Sequence, residues 1–191
     1  MFAAFSLINN IYSWDHAILE WIASHLRCAF LDTVMPIITF LGNAGWFWIV
    51  CSVLLLCFRQ TRKTGLTVAV ALLCGLLICN LGLKPLIHRI RPYDLWNIEI
   101  TLIKKPTDFS FPSGHTAASF EAAVVLMLRD RKRFGWAALV LAVLIAFSRL
   151  YLYVHYPSDV FASILLGTLI AFFSEWLVTR FSKKAASKAD R

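Results

Sequence analysis

Six side chains in three short stretches have the chemistry to grip a phosphate and cleave it. The stretches read K-P-L-I-H-R-I-R-P, P-S-G-H and S-R-L-Y-L-Y-V-H-Y-P-S-D. The six are three cations, two histidines and one carboxylate: Lys84, Arg91, Arg149, His115, His155 and Asp159. Cations bind phosphate oxygens, and a histidine can attack phosphorus or protonate the oxygen that leaves. This inventory predicts phosphoryl chemistry.

The first stretch places two cations two helical turns apart. If the helix continues, Lys84 and Arg91 share a face, with Pro85 bending that helix and Pro92 ending it. Arg91 can hold phosphate oxygens in a fork, whereas Lys84 acts as a point charge. Two cations that anchor a helix end at a membrane surface are the alternative. Asn80, one turn before Lys84, is a candidate supporting residue.

The second stretch precedes an apolar run that predicts a helix. A proline near a helix start, followed by serine and glycine, leaves backbone N–H groups free for an anion. Gly114 lets a phosphate approach the backbone, and Ser113 adds a hydroxyl donor. His115 stands where it can protonate a leaving oxygen. A plain helix cap with a histidine at the membrane interface is the alternative.

The third stretch pairs a histidine with an aspartate four residues later. Pro157 is predicted to begin the last helix, which puts Asp159 in its first turn. An aspartate at this spacing can accept Nδ1–H of His155, which fixes the tautomer and leaves Nε2 free to attack. Arg149 is a further cation at the end of an apolar segment. A capping aspartate and an interfacial histidine are the alternative for either residue alone.

In combination, K-x6-R-P, P-S-G-H and S-R-x5-H-x3-D resemble the signature of the phosphatidic acid phosphatase type 2 superfamily. The resemblance implies that His155 is the nucleophile and forms a phosphohistidine, and that Asp159 orients it. It implies that His115 is the general acid and then the base for water. The phosphate would be held by Lys84, Arg91, Ser113, Gly114 and Arg149. The family needs no metal or cofactor, and the sequence has no separate cluster with metal-ligand spacing.

The elements that carry these residues are predicted to be membrane helices in one all-α domain over residues 1–191. Of the 191 residues, 59% are hydrophobic and 16% charged, with a mean hydropathy of +0.69. Soluble domains are roughly 45–50% apolar and about 25% charged. The predicted spans are Leu31–Gly42, Ala44–Phe58, Thr64–Leu83, His115–Leu128, Phe134–Val154 and Val160–Val178. We expect six crossings, or five if Leu31–Gly42 does not cross.

Before the spans, residues 1–28 are predicted to form an interfacial amphipathic helix, with Ser13 or Asp15 capping the segment Ser13–Leu26. The catalytic region is predicted to occupy residues 84–159. Within it, Tyr93–Phe111 is expected to form a lid or lipid-contact element, as a short strand or a re-entrant loop. Ile98, Ile100 and Leu102 alternate there with polar residues.

The net charge of +8 is explained by membrane topology rather than by a nucleic-acid partner. Cations concentrate in two loops and in the basic tail over residues 180–191, which we expect to be cytoplasmic. They are Arg59, Arg62, Lys63, Arg129, Arg131, Lys132, Arg133, Arg180, Lys183, Lys184, Lys188 and Arg191. The three stretches then share the opposite, extracytoplasmic side of the cell membrane.

The expected substrate is therefore a lipid phosphate or diphosphate in the bilayer. Small bacterial members of the family often resemble undecaprenyl diphosphate phosphatases, and phosphatidylglycerol phosphate or phosphatidic acid are the alternatives. A common bacterial variant has aspartate where this chain has Gly114. Phosphotransfer to another lipid and a non-catalytic anion or lipid transporter stay open as other classes. The sequence carries no indication of oligomeric state.

Three polar residues lie outside the signature. Glu121 is inside a predicted span, where an unpaired charge is costly, so we expect it to be protonated or paired and to support the site. His88 and Arg89 either reach a second phosphate or lie at the membrane interface.

Overall fold

The computed structural model describes residues 2–99, 102–130 and 134–189, and within these ranges it is helical with no strand, which confirms the all-α prediction. A strand in the described part of Tyr93–Phe111 is therefore wrong, and Ile100 lies outside the described residues. The α-helices are α1 (Phe2–His25), α2 (Ala29–Leu41), α3 (Trp46–Cys57), α4 (Arg62–Gly75), α5 (Lys84–Ile87), α6 (Pro92–Leu95), α7 (Gly114–Asp130), α8 (Trp136–Tyr151) and α9 (Pro157–Ala189).

Within the described residues, two helical paths are long and apolar enough to cross a bilayer. Arg62–Leu95 runs from α4 through the π-helical segment Leu76–Leu83 to α6, and Pro157–Lys184 lies within α9. Helix α8 is apolar but has only 16 residues. At about 1.5 Å per residue, it falls short of the roughly 30 Å hydrocarbon core.

The predicted crossings Leu31–Gly42 and Ala44–Phe58 correspond to α2 and Asn43–Cys57, which are joined by a 44° bend and are long and apolar enough to cross a bilayer only as a pair, here called the α2–α3 path. Ala44 and Gly45 have positive φ angles there, which interrupts the helix. The path begins beside the end of α8, where Cys28 N–H donates to the Tyr151 hydroxyl at 3.4 Å. It ends beside the start of α4, because the Ser52 hydroxyl donates to the Gly65 carbonyl at 2.8 Å.

Helix α7 lies at the centre of the bundle and packs against α4, α8 and α9. Its alanines 117, 122 and 123 are buried, and a Cβ at Gly167 of α9 would lie only 2.7 Å from the Ala117 carbonyl oxygen. Small residues thus allow close helix packing. The outer face of α9 exposes large apolar side chains such as Phe161 and Leu169. Small residues inside the bundle and large apolar side chains on its outside are the pattern expected of helices surrounded by lipid.

Helix α1 begins well before the amphipathic segment Ser13–Leu26 and is packed on one face. Leu19 and Ile22 are buried, whereas Trp14 and Trp21 are exposed. The predicted cap by Ser13 or Asp15 is wrong because both lie inside α1. Asp15 is instead buried and bonds to the start of α9.

Candidate active site

The three stretches meet at one end of the bundle, as predicted. They occupy the end of the α4 path, the start of α7 and the connection from α8 to α9. At the opposite end, Arg129 Nε donates to Glu175 Oε2 at 2.5 Å and ties α7 to α9. Of the predicted cytoplasmic cations, Arg131, Lys132, Arg133 and Arg191 lie outside the described residues.

Lys84 and Arg91 come together, but not on one helical face. Helix α5 ends at Ile87, and His88 adopts a positive φ of 51°. Pro92 begins α6 rather than ending the helix, because proline is favoured in a first turn. The expected shared face is therefore wrong, and a tight loop brings the two cations together instead.

Arg91 is buried and uses three of its nitrogens. Nε donates to the Asp108 carbonyl at 2.7 Å, and Nη2 donates to Asp108 Oδ1 at 2.6 Å. Nη1 donates to the Val154 carbonyl at 2.6 Å and to His155 Nε2 at 3.2 Å. The guanidinium thus links the first stretch to the predicted nucleophile.

Asp108 joins the two cations of the first stretch and was missed by the sequence analysis. Its carboxylate pairs with Lys84 Nζ as well as with Arg91, and its side chain is 53% exposed. Burial acts to raise the pKa of Asp108, but the hydrogen bonds and charges of Lys84 and Arg91 hold that pKa well below its usual range. The Asp108 carboxylate therefore occupies the space between Lys84 and Arg91. Nothing in the sequence distinguishes Asp108 from a solvent-exposed loop aspartate.

His155 and Asp159 face each other across the α8–α9 connection. Nδ1 of His155 lies 3.5 Å from Oδ2 of Asp159, within ion-pair range but long for a hydrogen bond. Such contacts are often loose before substrate binds. Burial, and then the charges of Arg91 and Arg149, lower the pKa of His155 well below its ordinary value. The ring is therefore neutral, with its Nε2 lone pair toward Arg91.

The second stretch begins α7 at Gly114, as predicted. The Ser113 hydroxyl lies 3.0 Å from the Thr116 hydroxyl, and Ser113 N–H donates to the Ser163 hydroxyl at 2.8 Å. Ser163 donates in turn to the Asp159 carbonyl at 2.7 Å. Ser113 thus serves as a cap that ties α7 to α9, whereas the sequence analysis assigned its hydroxyl to phosphate.

His115 is held by a residue of the α2–α3 bend. Its Nε2–H donates to Asn43 Oδ1 at 2.8 Å. A Cβ at Gly42 would lie 2.6 Å from Cδ2 of His115, so glycine leaves room for the ring. The sequence analysis missed Asn43 because it lies 72 positions from His115.

Arg149 is a buried cation that has no carboxylate partner among the described residues. It is 2% exposed, its Nη1 donates to the Thr39 hydroxyl at 2.5 Å, and its Nε has no hydrogen-bond partner there. His115 and His155 both experience its charge together with those of Lys84 and Arg91. A buried, unbalanced cation is costly unless an anion arrives.

The two candidate supporting residues differ. Asn80 Oδ1 lies 2.9 Å from the position of a Cβ on Gly114, so it borders the second stretch. Glu121 is buried against Gly75, and its oxygens have no hydrogen-bond partner within the described ranges. Of the two alternatives predicted for Glu121, protonated or paired, a pair is not found among the described residues, and no hydrogen bond links Glu121 to the three stretches.

Arg89 is neither interfacial nor free to reach a second phosphate. It is paired with both Asp15 and Asp159, with its side chain 11% exposed. His88 packs edge-on against Phe109 at 4.3 Å between ring centroids.

Comparison with known proteins agrees with this geometry. A family model described as the PAP2 superfamily matches residues 64–183. The chain is 36% identical over 146 residues to an undecaprenyl-diphosphatase of Sulfolobus acidocaldarius, covering 75% of this chain and 70% of that one. It is 32% identical over 152 residues to the undecaprenyl-diphosphatase BcrC of Bacillus subtilis, covering 80% and 75%. The crystal structure of a PAP2-type phosphatidylglycerolphosphate phosphatase from Bacillus subtilis matches with a TM-score of 0.71 and 30% identity, covering 92% of this chain and 88% of that one.

Proposed function

The chain belongs to the PAP2 superfamily and is a membrane lipid phosphatase, and on that premise we propose that it hydrolyses undecaprenyl diphosphate to undecaprenyl phosphate and inorganic phosphate. Two relatives that match over most of this chain carry the name undecaprenyl-diphosphatase. The proposal places the reaction at the end of the bundle that holds the three stretches.

The observation that carries the proposal is the unbalanced cation Arg149. It is buried beside the charge of Arg91, and no carboxylate of the described residues forms an ion pair with it, although the charge of Asp108 reaches it from a distance. A phosphoryl group supplies the missing anion. Negative charge that develops on its oxygens would be stabilised by donors already in place.

In the proposed first step, Nε2 of His155 attacks the terminal phosphorus. The new N–P bond forms as the P–O bond to undecaprenyl phosphate breaks. His115 enters this step doubly protonated, with the anionic substrate balancing its charge, and gives its Nδ1 proton to the leaving oxygen while Nε2–H stays on Asn43. Nδ1 of His155 keeps its proton, facing Asp159. Asn43 holds the His115 ring in place through the 2.8 Å hydrogen bond.

In the second step, His115 takes a proton from water, whose oxygen attacks the phosphohistidine. The N–P bond breaks, inorganic phosphate leaves and His155 regains its lone pair. Lys84, Arg91 and Arg149 would hold the oxygens through both steps, with Ser113 and Gly114 bringing the α7 N-terminus close. Binding requires the phosphate to displace Asp108 from Lys84 and Arg91, since that carboxylate pairs with both.

Phosphatidylglycerol phosphate is the second candidate substrate, favoured by the likeness to the Bacillus subtilis phosphatase structure. The same two steps would apply, with a phosphomonoester in place of the diphosphate. Phosphatidic acid would follow the same route.

The deciding experiment measures phosphate release by the purified protein in detergent with EDTA. Undecaprenyl diphosphate, phosphatidylglycerol phosphate and phosphatidic acid are compared at equal concentration. The variants are His155→Ala and, as a matched control, the exposed His25→Ala. We expect preference for the diphosphate, lost only in His155→Ala. Preference for either phosphomonoester would overturn the substrate, and release that requires an acceptor lipid would indicate phosphotransfer.

For the topology we propose five crossings instead of six, with the site extracytoplasmic and the basic loops and tail cytoplasmic. The α2–α3 path, the α4 path, α7, α8 and α9 cross, and α8 can be shorter than the hydrocarbon core because it ends at the buried residues Arg149 and Tyr151 rather than at the membrane surface. Helix α1 lies along the interface on the site's side. Its support is the bend between α2 and α3 and the buried contact of α1 with the start of α9. The test uses intact cells that produce the protein with its native cysteines replaced. In these cells, Lys105→Cys should react with a membrane-impermeant maleimide, whereas Lys183→Cys should not.

A further inference from the structure

We propose that Arg89, itself held by Asp15 of α1, is a positioning residue that aims the Asp159 carboxylate at His155. The inference rests on the proposed role of His155 as nucleophile. It concerns residues outside the three-part signature, one of them on a helix with no part in that signature.

Arg89 bridges two buried carboxylates. Its Nη1 donates to Asp159 Oδ1, and its Nη2 donates to Asp15 Oδ2 at 2.7 Å. Asp15 is 2% exposed and Asp159 is fully buried. Charge-assisted bonds in so dry a setting are strong and directional. One guanidinium thus links α1 to the carboxylate that faces His155.

Asp15 also holds the first turn of α9, where Asp159 lies. Its Oδ1 accepts the Ser158 N–H at 2.8 Å, and its Oδ2 accepts the Ser158 hydroxyl at 2.6 Å. Arg89 Nη1 donates to the same hydroxyl at 2.8 Å. Backbone N–H groups of a first helical turn need acceptors, and here the acceptor comes from another helix.

Two aromatic rings contact the Arg89 guanidinium from adjacent sides. Its central carbon lies 3.8 Å from the ring centroid of Tyr156 and 4.8 Å from that of Tyr12, and the two rings meet edge-on with their centroids 5.6 Å apart. Cation–π contacts of this kind suit the weakly hydrated guanidinium better than the compact ammonium of lysine. The site therefore demands arginine rather than any cation.

The hydrogen bond from Arg89 gives the two carboxylate oxygens of Asp159 different roles. Oδ1 is bound to Arg89, whereas Oδ2 accepts the Ser110 hydroxyl at 2.5 Å and the Tyr156 N–H at 3.1 Å and faces Nδ1 of His155 at 3.5 Å. With Oδ1 anchored, the carboxylate cannot rotate away from the histidine. Loss of Arg89 would also leave two buried carboxylates without their shared counter-charge.

Asp15, Arg89 and Asp159 form a cluster whose net charge suits the reaction. With both carboxylates ionised, the cluster carries one net negative charge. When Nε2 of His155 bonds to phosphorus and Nδ1 keeps its proton, the ring becomes positive. The cluster then balances a charge that exists only after attack, so its contribution should appear in kcat rather than in KM.

The test compares Arg89→Met, Arg89→Lys, Arg89→Ala and Asp15→Asn with the parent protein. Arg129→Met is the matched control, because it removes an arginine that joins two elements at the opposite end. The readouts are kcat, KM and the rate at which acid-labile phosphoenzyme forms after rapid mixing with substrate. We expect Arg89→Met and Arg89→Lys to lower kcat and the phosphorylation rate about 10- to 100-fold, as loss of an orienting outer residue commonly does. KM should stay within about 3-fold of the parent, and Arg129→Met should leave both rates unchanged.

Asp15→Asn is nearly isosteric and is expected to lower kcat about 10-fold, with no further loss when it is combined with Arg89→Met. Added guanidinium should restore part of the activity of Arg89→Ala. Variants that lose only thermal stability, with kcat and phosphorylation rate unchanged, would overturn the positioning role. If the parent protein hydrolyses lipid without forming phosphoenzyme, the proposed mechanism fails first and the inference fails with it.

Discussion

Arginines join helices at both ends of the bundle, but their charges are balanced differently. At the basic end, Arg129 meets one carboxylate, Glu175, and both side chains are partly exposed, at 17% and 29%. At the site end, Arg89 is shared by two carboxylates and Arg149 has none among the described residues. Both of these arginines are buried or nearly so. The Arg129 ion pair is electrically balanced. The positive charge of Arg149 has no paired carboxylate among the described residues, which agrees with the proposal that the substrate supplies the anion.

Among the variants that test this comparison, His155→Ala is expected to have the largest effect. The variant keeps every cation of the site but removes the proposed nucleophile, so we expect phosphate release to fall at least about 10³-fold. Substrate binding, followed as protection against thermal unfolding, should persist. Release that stays within about 10-fold of the parent would mean that the cations, and not covalent catalysis, produce the activity.

Replacement of Arg149 separates function from stability. Arg149→Met removes an unbalanced buried charge, so we expect the unfolding midpoint to stay equal or rise while kcat/KM falls about 10²- to 10³-fold. Arg129→Met should do the opposite, with a lower midpoint and unchanged activity. Thermal unfolding in detergent and steady-state kinetics measure both quantities. A clear drop in the midpoint for Arg149→Met would show that this arginine is an ordinary structural partner.

Asn43 provides a finer test at the site end. Asn43→Ala leaves His115 in place but removes the 2.8 Å bond that orients its ring, so we expect kcat to fall about 10-fold. The decrease in kcat should be smaller when the substrate is an aryl phosphate, because its leaving group needs little protonation. An equal loss for both substrates would place the role of Asn43 elsewhere than in leaving-group protonation.

Asp108 is expected to produce the smallest effect. Asp108→Asn removes the anion that phosphate must displace from Lys84 and Arg91, so KM should fall a few-fold with little change in kcat. Because the pKa of Asp108 is held below its usual range, its ionised form stabilises the fold above the unfolded pKa of about 3.9. That stabilisation is lost only as the pH falls through the folded pKa. The difference in unfolding midpoint between variant and parent should therefore be constant from pH 5 to pH 8, and a change within that range would contradict the assignment.

Much of the site was predictable because its order along the chain reflects local rules. Pro157 begins α9 and puts Asp159 four residues after His155, as helix geometry requires. Gly114 begins α7 after the proline and serine of the second stretch. Apolar blocks and the positions of lysine and arginine indicated an all-helical membrane bundle with its motifs at one end.

The failures share a cause. Lys84 and Arg91 were expected on one helical face, but the positive φ of His88 breaks the helix between them. Leu31–Gly42 and Ala44–Phe58 were expected as straight helices, but the positive φ angles of Ala44 and Gly45 lie between them, and a 44° bend joins them. Hydrophobicity reports how much apolar surface a segment has, and not which way it turns.

The sequence by itself determined the reacting groups, their local pairing and the solvent in which the fold exists. Only the tertiary structure decided which distant residues hold them. Arg89 and Asp15 are 74 positions apart, as Asn43 and His115 are 72 apart. No periodicity connects such residues. Their contacts arise because the helices pack side by side, α7 against α4, α8 and α9 and α1 against α8 and α9, which brings polar groups from distant parts of the chain together at one end of the bundle.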